Sequence, residues 1–246
     1  MRKQFIIFTL SFLLIGLIAC DKNKDEPDPN RTEADIFGSV SLFDEFNTSL
    51  GNDSMVVYIN GSNPLIADTT DENGNYRIKN LPFGSYSLVY EKSGYGTTIL
   101  NVNHSNNVEG VTEIVQQFLG QKSKTKVPQL NLDLGVTSVT IQVTVDSAGT
   151  IDRPRYYRIF YSTDNTVSNA NYQVFSNRLT ATSEVGETFL SVGKIHEMGY
   201  QTGDIVYVKA YGESFHPNDY FDFELEYIVF PNLNPNSATE MFFEVQ

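Results

Sequence analysis

The chain of 246 residues has no tryptophan, one cysteine, three histidines and a shortage of cations, with 17 Lys and Arg against 30 Asp and Glu and a net charge of −13. Each shortage excludes something. A single cysteine forbids an internal disulfide and any cysteine-built structural zinc site. The deficit of Lys and Arg argues against a nucleic-acid partner, because phosphate backbones have to be neutralised by clustered cations. No nucleophile elbow, phosphate-binding glycine loop or His-Glu-x-x-His run occurs, so no catalytic residue, metal ligand or cofactor is expected. His104, His196 and His216 are scattered among polar and turn-forming neighbours and are expected on surface loops.

Sustained helical periodicity is also missing. Val111 to Leu119 is the best window for it, and it is too short to define a fold. Disorder is excluded by what is present: 40% of the residues are apolar, and 14 Tyr and 17 Phe supply large side chains for a core. From Ile36 onward, short apolar alternations are separated by Asn, Asp and Gly clusters, the pattern of antiparallel sandwiches. The expected architecture is all-β: two tandem antiparallel β-sandwich domains, spanning 34–134 and 135–246, after a leader.

The leader is residues 1–19. Arg2 and Lys3 precede an apolar run from Phe5 to Ile18, shorter than the roughly 18–20 residues that a membrane-crossing helix needs, so it reads as a secretory signal peptide. Its end, Leu17-Ile18-Ala19-Cys20, resembles the bacterial lipoprotein lipobox. The resemblance implies acylation of Cys20, cleavage before it, and an anchor of several acyl chains whose buried CH₂ groups each contribute about 0.8 kcal/mol. Loss of Arg2 and Lys3 with the leader would carry the net charge from −13 to −15. Residues 20–33 read as the acylated cysteine and a solvated tether, since Asp21 to Asn30 contains no large apolar residue and two prolines. Lys24-Asp25-Glu26 resembles the acidic surface-export signal of Bacteroidetes lipoproteins; a plain charged linker is the other reading of the same residues. The implied address is the outer membrane, lipid-anchored and exposed at the cell surface.

In the first domain, Asn73-Gly74 is expected to supply the positive-φ positions of a tight turn. Tyr76 and Ile78 then share one face against Arg77 and Lys79, and Leu81-Pro82-Phe83-Gly84 makes a second turn into alternating Tyr86, Leu88 and Tyr90. The two strands are expected to lie in register. Thr70-Asp71, Gly74-Asn75-Tyr76, Ile78, Leu81-Pro82, Gly84 and Tyr86, followed by Lys92-Ser93-Gly94-Tyr95, resemble the carboxypeptidase regulatory-like family of transthyretin-like sandwiches. An opening strand at Phe37 to Val40 and a closing one at Gln129 to Leu132 extend the resemblance, which implies an accessory module without a catalytic centre. The run Asp71 to Asn75 imitates a calcium loop, but a sixth-position Gly74 would put Thr69 and Asn80 at the first and last ligand positions, where acids belong. A Lys-to-Asn isopeptide crosslink is excluded because Ile36 to Phe43 contains no lysine.

In the second domain, Val139, Ile141, Val143 and Val145 alternate with polar residues, Tyr157, Ile159 and Tyr161 do so again, and Ile205 to Gly212 forms a third strand. Tyr207-Val208-Lys209-Ala210-Tyr211 resembles the core strand of bacterial fibronectin type III modules, with Val206 where that family's corner tyrosine would align. His216 to Asn236 exceeds a simple hairpin and leaves room for an extra strand at Phe221 to Phe230. Glu224 and Glu226 are expected to alternate on a solvated strand face rather than act as a carboxylate pair. Tyr156, Phe160, Tyr172, Tyr220 and Phe221 exceed what one core face needs; they are candidate ligand-contact aromatics, with burial in the core as the plainer explanation. Asp53-Ser54-Met55, Asp68-Thr69-Thr70 and Asp146-Ser147-Ala148 resemble the Bacteroidetes O-glycosylation pattern, which makes Ser54, Thr69 and Ser147 candidate acceptors. The function expected is a non-catalytic, membrane-anchored module that holds an envelope protein partner, with glycan binding in a polysaccharide-utilisation system as the alternative.

Overall fold

The computed structural model describes residues 26–246. The leader and Cys20 lie outside the described residues, as do Lys24 and Asp25 of the tether. What is described is nearly all β, with one short helix.

The first sandwich is built from β1 (Glu33–Phe43), β2 (Val56–Ile59), β3 (Ala67–Thr69), β4 (Asn75–Pro82), β5 (Gly84–Glu91), β6 (Thr98–His104), β7 (Val111–Glu113) and β8 (Gln117–Gly120). One sheet runs β4-β1-β7 with β8 further along β1, and the other runs β3-β2-β5-β6. Period-two alternation sends Ile36, Val40 and Leu42 of β1 inward against Val57, Leu88 and Tyr90 of the facing sheet. The window with the best helical spacing therefore became β7 and β8. Both pair with β1 in parallel, a departure from purely antiparallel sheets.

Two sequence expectations change here. The strands around Pro82 do not pair with each other: β4 bonds to β1, whereas β5 bonds to β2 and β6 in the opposite sheet. Phe83 is the corner between the layers, and Tyr76 meets Tyr90 across the sandwich with their hydroxyls 2.7 Å apart. An arch and a hairpin need the same alternation, so the alternation could not tell them apart. At Asn73-Gly74 only Gly74 has positive φ, +85°. The turn is held by Asp71, whose side chain accepts from the N–H groups of Asn73 and Asn75.

The second sandwich contains β9 (Gln129–Leu134), β10 (Ser138–Thr144), β11 (Arg155–Ser162), β12 (Val174–Phe175), β13 (Leu179–Ala181), β14 (Val185–Ser191), β15 (Ile205–Glu213), β16 (Tyr220–Asp222), β17 (Tyr227–Val229) and β18 (Met241–Glu244). Helix α1 (Val192–Glu197), capped by the Ser191 side chain, is too brief to show a period in sequence. A β14-β10-β9 sheet packs on a β12-β11-β15-β18 sheet, with β13 also on β11. The segment expected to close the first sandwich, Gln129 to Leu132, is therefore the opening strand of the second: it bonds to β10, and Leu130 sits in the second core. Its apolar alternation suits either sandwich, and only its partner strand decides.

β11 carries the second core on one face with Tyr157, Ile159 and Tyr161. Its other face is buried as well, because Phe160 packs into a smaller cluster with Val167, Tyr211, Phe230 and Leu233. Phe230 and Leu233 of that cover come from the long excursion between β15 and β18, which contains the β16–β17 hairpin.

Candidate functional site

The excursion leaves the second sandwich at Ser214 and comes down on the first. Four backbone groups of Gly96 and Gly120, at the edge of the first sandwich, are met by asparagine side chains rather than by another strand. Asn218 Oδ1 accepts from the Gly120 N–H at 2.9 Å, while its Nδ2 donates to the carbonyls of Gly96 and Gly120. Asn232, fully buried, accepts from the Gly96 N–H at 2.8 Å and donates to the carbonyls of Gly120 and His216 at 2.9 and 2.7 Å. Asn234 donates to the carbonyl of Ser123. A primary amide offers a carbonyl and an N–H₂ group in one plane, so it can continue a broken ladder at buried edges where solvent cannot.

Neither glycine could be anything larger. A Cβ on Gly120 would stand 2.6 Å from the His216 carbonyl oxygen, and one on Gly96 would stand 2.5 Å from the Pro231 backbone. His216 itself lies over the Phe43 ring at 4.4 Å and bonds Asn47, with its pKa lowered by burial and by Arg178. Hence His216 lies on a loop but is half-buried, and the other two histidines are not on loops. His104 is buried between Thr112 and the Leu81 carbonyl, and only His196, on α1, is exposed.

The stem of the excursion is fastened from the other side by a buried ion pair. Arg158 Nε donates to Glu213 Oε2 at 2.7 Å; its guanidinium also packs on the rings of Phe230 and Phe175 and bonds the Ser176 carbonyl. Burial pushes the Glu213 carboxyl up to about 7, outweighing the pull of Arg158 in the other direction. Its second oxygen, Oε1, has no hydrogen-bond partner among the described residues. Tyr172 completes the clamp, since its hydroxyl donates to the Ile228 carbonyl and accepts from the Ile228 N–H, gripping β17.

Held this way, the hairpin walls a groove on the outer face of β5 and β6. An open trough of about 300 Å³ runs over Ser85, Ser87, Asn101 and Asn103, which face each other in register across the two strands. It continues into a narrower cleft of about 90 Å³ in which Asn60, Ser87 and Asn101 meet Tyr220, Phe221 and Phe223. Ser87 Oγ donates to Asn101 Oδ1 at 2.7 Å. That leaves the Asn101 N–H₂ group, and the whole amides of Asn60 and Asn103, without protein partners among the described residues. Phe221 and Phe223 stack edge to face at 5.0 Å and are 45% and 71% exposed. Burial and the neighbouring Asp222 carboxylate raise the pKa of Tyr220.

The structure separates the five candidate aromatics. Tyr156 is buried against Phe215, and Phe160 is fully buried among Tyr172, Tyr211 and Phe230, so neither can touch a ligand. Tyr172 positions the hairpin, and only Tyr220 and Phe221 reach the groove. Phe223 was not singled out in the sequence, although its spacing from Phe221 places it on the same wall. Glu224 and Glu226 lie in the hairpin turn, not on a strand face: Asp222 Oδ1 accepts from the N–H groups of Glu224 and Leu225, and Glu226 takes a left-handed φ of +60°. Ser54, Thr69 and Ser147 are all exposed. Among the described residues, no group of three or more His, Cys, Asp or Glu side chains could hold a metal ion, and no helix is long and apolar enough to cross a membrane.

No protein-family profile matches the chain, and no curated protein does. Among solved structures, the chain is similar to a protein from Bacteroides uniformis ATCC 8492 proposed to bind carbohydrate, with 11% identity, 87% of this chain and 100% of that one covered, and a TM-score of 0.33. A DUF3823 family protein from Parabacteroides merdae ATCC 43184 matches at 9% identity, with the same coverage and a TM-score of 0.30. The full-length major pilin SpaD of Corynebacterium diphtheriae matches at 12% identity over 88% of this chain and 66% of that one, with a TM-score of 0.29.

Proposed function

We propose that the chain is a non-catalytic, lipid-anchored envelope module that binds a neutral, hydroxyl-rich ligand, a glycan, in the groove between β5–β6 and the inserted hairpin. The observation that carries this reading is the juxtaposition of unpartnered Asn and Ser side chains with the exposed Phe221–Phe223 pair. Amide groups can donate to and accept from sugar hydroxyls, while aromatic rings cover the apolar C–H faces of the same sugars. The trough floor carries no formal charge, and the adjoining cleft adds only the carboxylates of Asp222 and Glu224, which suits a ligand without negative charge. Anchoring through Cys20 would hold this surface at the outer membrane, and the resemblance of the two sandwiches to carboxypeptidase regulatory-like and fibronectin type III modules fits an accessory role.

Affinity electrophoresis of the full chain through gels containing neutral polysaccharides tests the reading. The expected result is retardation by at least one glycan, weakened about tenfold in F221A and F223A if each ring contributes the stacking energy of an ordinary aromatic contact. Unretarded migration on every glycan would reject it.

A second reading is favoured by the hairpin tip, where Phe223 and Leu225 are 71% and 52% exposed side by side with Phe221. Contiguous exposed apolar side chains of this kind mark protein contacts. In that case the tip docks an envelope protein, and crosslinking at position 225 would capture the partner while glycan gels stay blank.

A further inference from the structure

A second cleft, of about 490 Å³, lies at the joint between the sandwiches, away from the Asn-Ser groove. Its walls are the loop after β1, the segment joining the two domains, and the loop between β10 and β11. In a chain with a net charge of −13, this cleft gathers three cations: Lys124, Arg153 and Arg155. Both guanidiniums pack on one ring, with Arg153 at 4.1 Å and Arg155 at 4.8 Å from the centroid of Phe46. Stacking on a ring face spends a guanidinium's flat surface and leaves its N–H edge free.

Two carboxylates also line the cleft, Glu45 and Asp146, and each has one oxygen already engaged. Glu45 Oε2 accepts from the Lys124 backbone N–H at 2.7 Å and from Ser123 Oγ, and Asp146 Oδ1 accepts from the Lys126 backbone N–H at 3.0 Å. Glu45 Oε1 approaches Arg155 only to 3.9 Å, and the Arg155 Nε–H goes to the Ser147 carbonyl. The Lys124 ammonium and the Arg153 guanidinium have no ion pair among the described residues, and no hydrogen bond from the Arg153 side chain to the protein is present among them. The walls thus hold three cations against two carboxylates, and each carboxylate has an oxygen drawn off by backbone N–H groups, so the balance of charge in the cleft favours an anion.

We propose that this cleft binds a compact oxyanion group, a sulfate or carboxylate carried on a ligand, in the free N–H fork of Arg153, with the remaining N–H groups of Arg155 and the Lys124 ammonium as supporting charges. Contact with Phe46 restrains both guanidiniums, and a guanidinium fork grips a planar or tetrahedral oxyanion by paired N–H···O bonds. The long-range charge of an acidic chain does not forbid this, because at physiological salt fields are screened beyond about 8 Å.

The test follows the arginine side-chain Nε–H resonances of the full chain, assigned with R153Q and R155Q, during titration with sodium sulfate, sodium glucuronate and sodium chloride at constant ionic strength. Saturable shifts of the Arg153 and Arg155 signals with sulfate or glucuronate, absent with chloride, are expected, and whichever anion saturates identifies the source of the oxyanion. Affinity should fall at least about tenfold in R153Q, the loss of charged hydrogen bonds. Arg153 is exposed, so that variant should keep the fold. Shifts of equal size in all three salts, or a saturable response that survives R153Q unchanged, would overturn the proposal.

Discussion

Asn232 shows how much a single amide can carry. It is fully buried, and of its three side-chain hydrogen bonds two serve backbone groups with no other partner among the described residues, the Gly96 N–H and the His216 carbonyl, while the Gly120 carbonyl is shared with Asn218. Replacing it with Ala strands those two groups, at roughly 1–3 kcal/mol for each buried one left unmet, so N232A should lose about 2 kcal/mol or more in urea denaturation. Glu213 makes a pH-dependent contribution of opposite character. Its folded carboxyl is raised to about 7 from an ordinary 4.5, so the folded chain holds a proton over a range where the unfolded chain has released it. The associated stability is present in full below pH 4.5 and is lost as pH rises through 7. Melting temperature should therefore fall between pH 5 and 8 more steeply in the wild type than in E213Q, which cannot titrate. Equal slopes in the two proteins would show that the carboxyl is ionised throughout.

At the scale of elements, the β16–β17 hairpin is the piece on which the proposed binding depends. It is too short to hold a shape alone, and three devices fix it: the Tyr172 hydroxyl on Ile228, the Arg158–Glu213 pair at its stem, and the asparagines that dock onto Gly96 and Gly120. A methyl group on Gly120 would meet the backbone oxygen of His216, an atom that cannot swing away as a side-chain tip could. G120A should cost about 1–3 kcal/mol through overpacking and should also displace the hairpin stem. The separation of these effects is measurable: G120A should weaken glycan retardation even at temperatures where circular dichroism reports a fully folded chain. Retardation equal to wild type would mean that the groove does not depend on the stem.

At the scale of the whole molecule, the sandwiches are joined through buried asparagines, the Glu45 contacts to the connecting segment and the His216–Phe43 stack, rather than through an exposed linker. Domains tied by a buried polar interface of this kind unfold together when the interface energy exceeds the stability of the weaker partner. A single calorimetric transition is expected for the wild type, and N232A should split it into two. Two transitions in the wild type would show that the joint is weaker than its hydrogen bonds suggest.

The all-β class and the inward-facing residues of the main strands were legible in the chain, because side chains alternate across a strand with a period of two and burial of one face writes that period into the sequence. Tyr76, Ile78, Val139, Ile141, Val143, Tyr157 and Ile159 were all read this way, and all are in the cores. Alternation says which way a side chain points but not which strand lies beside it. Only the tertiary structure could therefore decide that the strands around Pro82 belong to opposite sheets, or that Gln129 to Leu132 opens the second sandwich. The groove was half legible: Tyr220 and Phe221 stood out as surplus aromatics, whereas Asn60, Ser87 and Asn101 looked like ordinary turn and surface residues. Asn218 and Asn232 were invisible for the same reason. An asparagine that closes a turn and one that replaces a missing strand are the same residue until a backbone from elsewhere in the chain arrives within 3 Å of its amide.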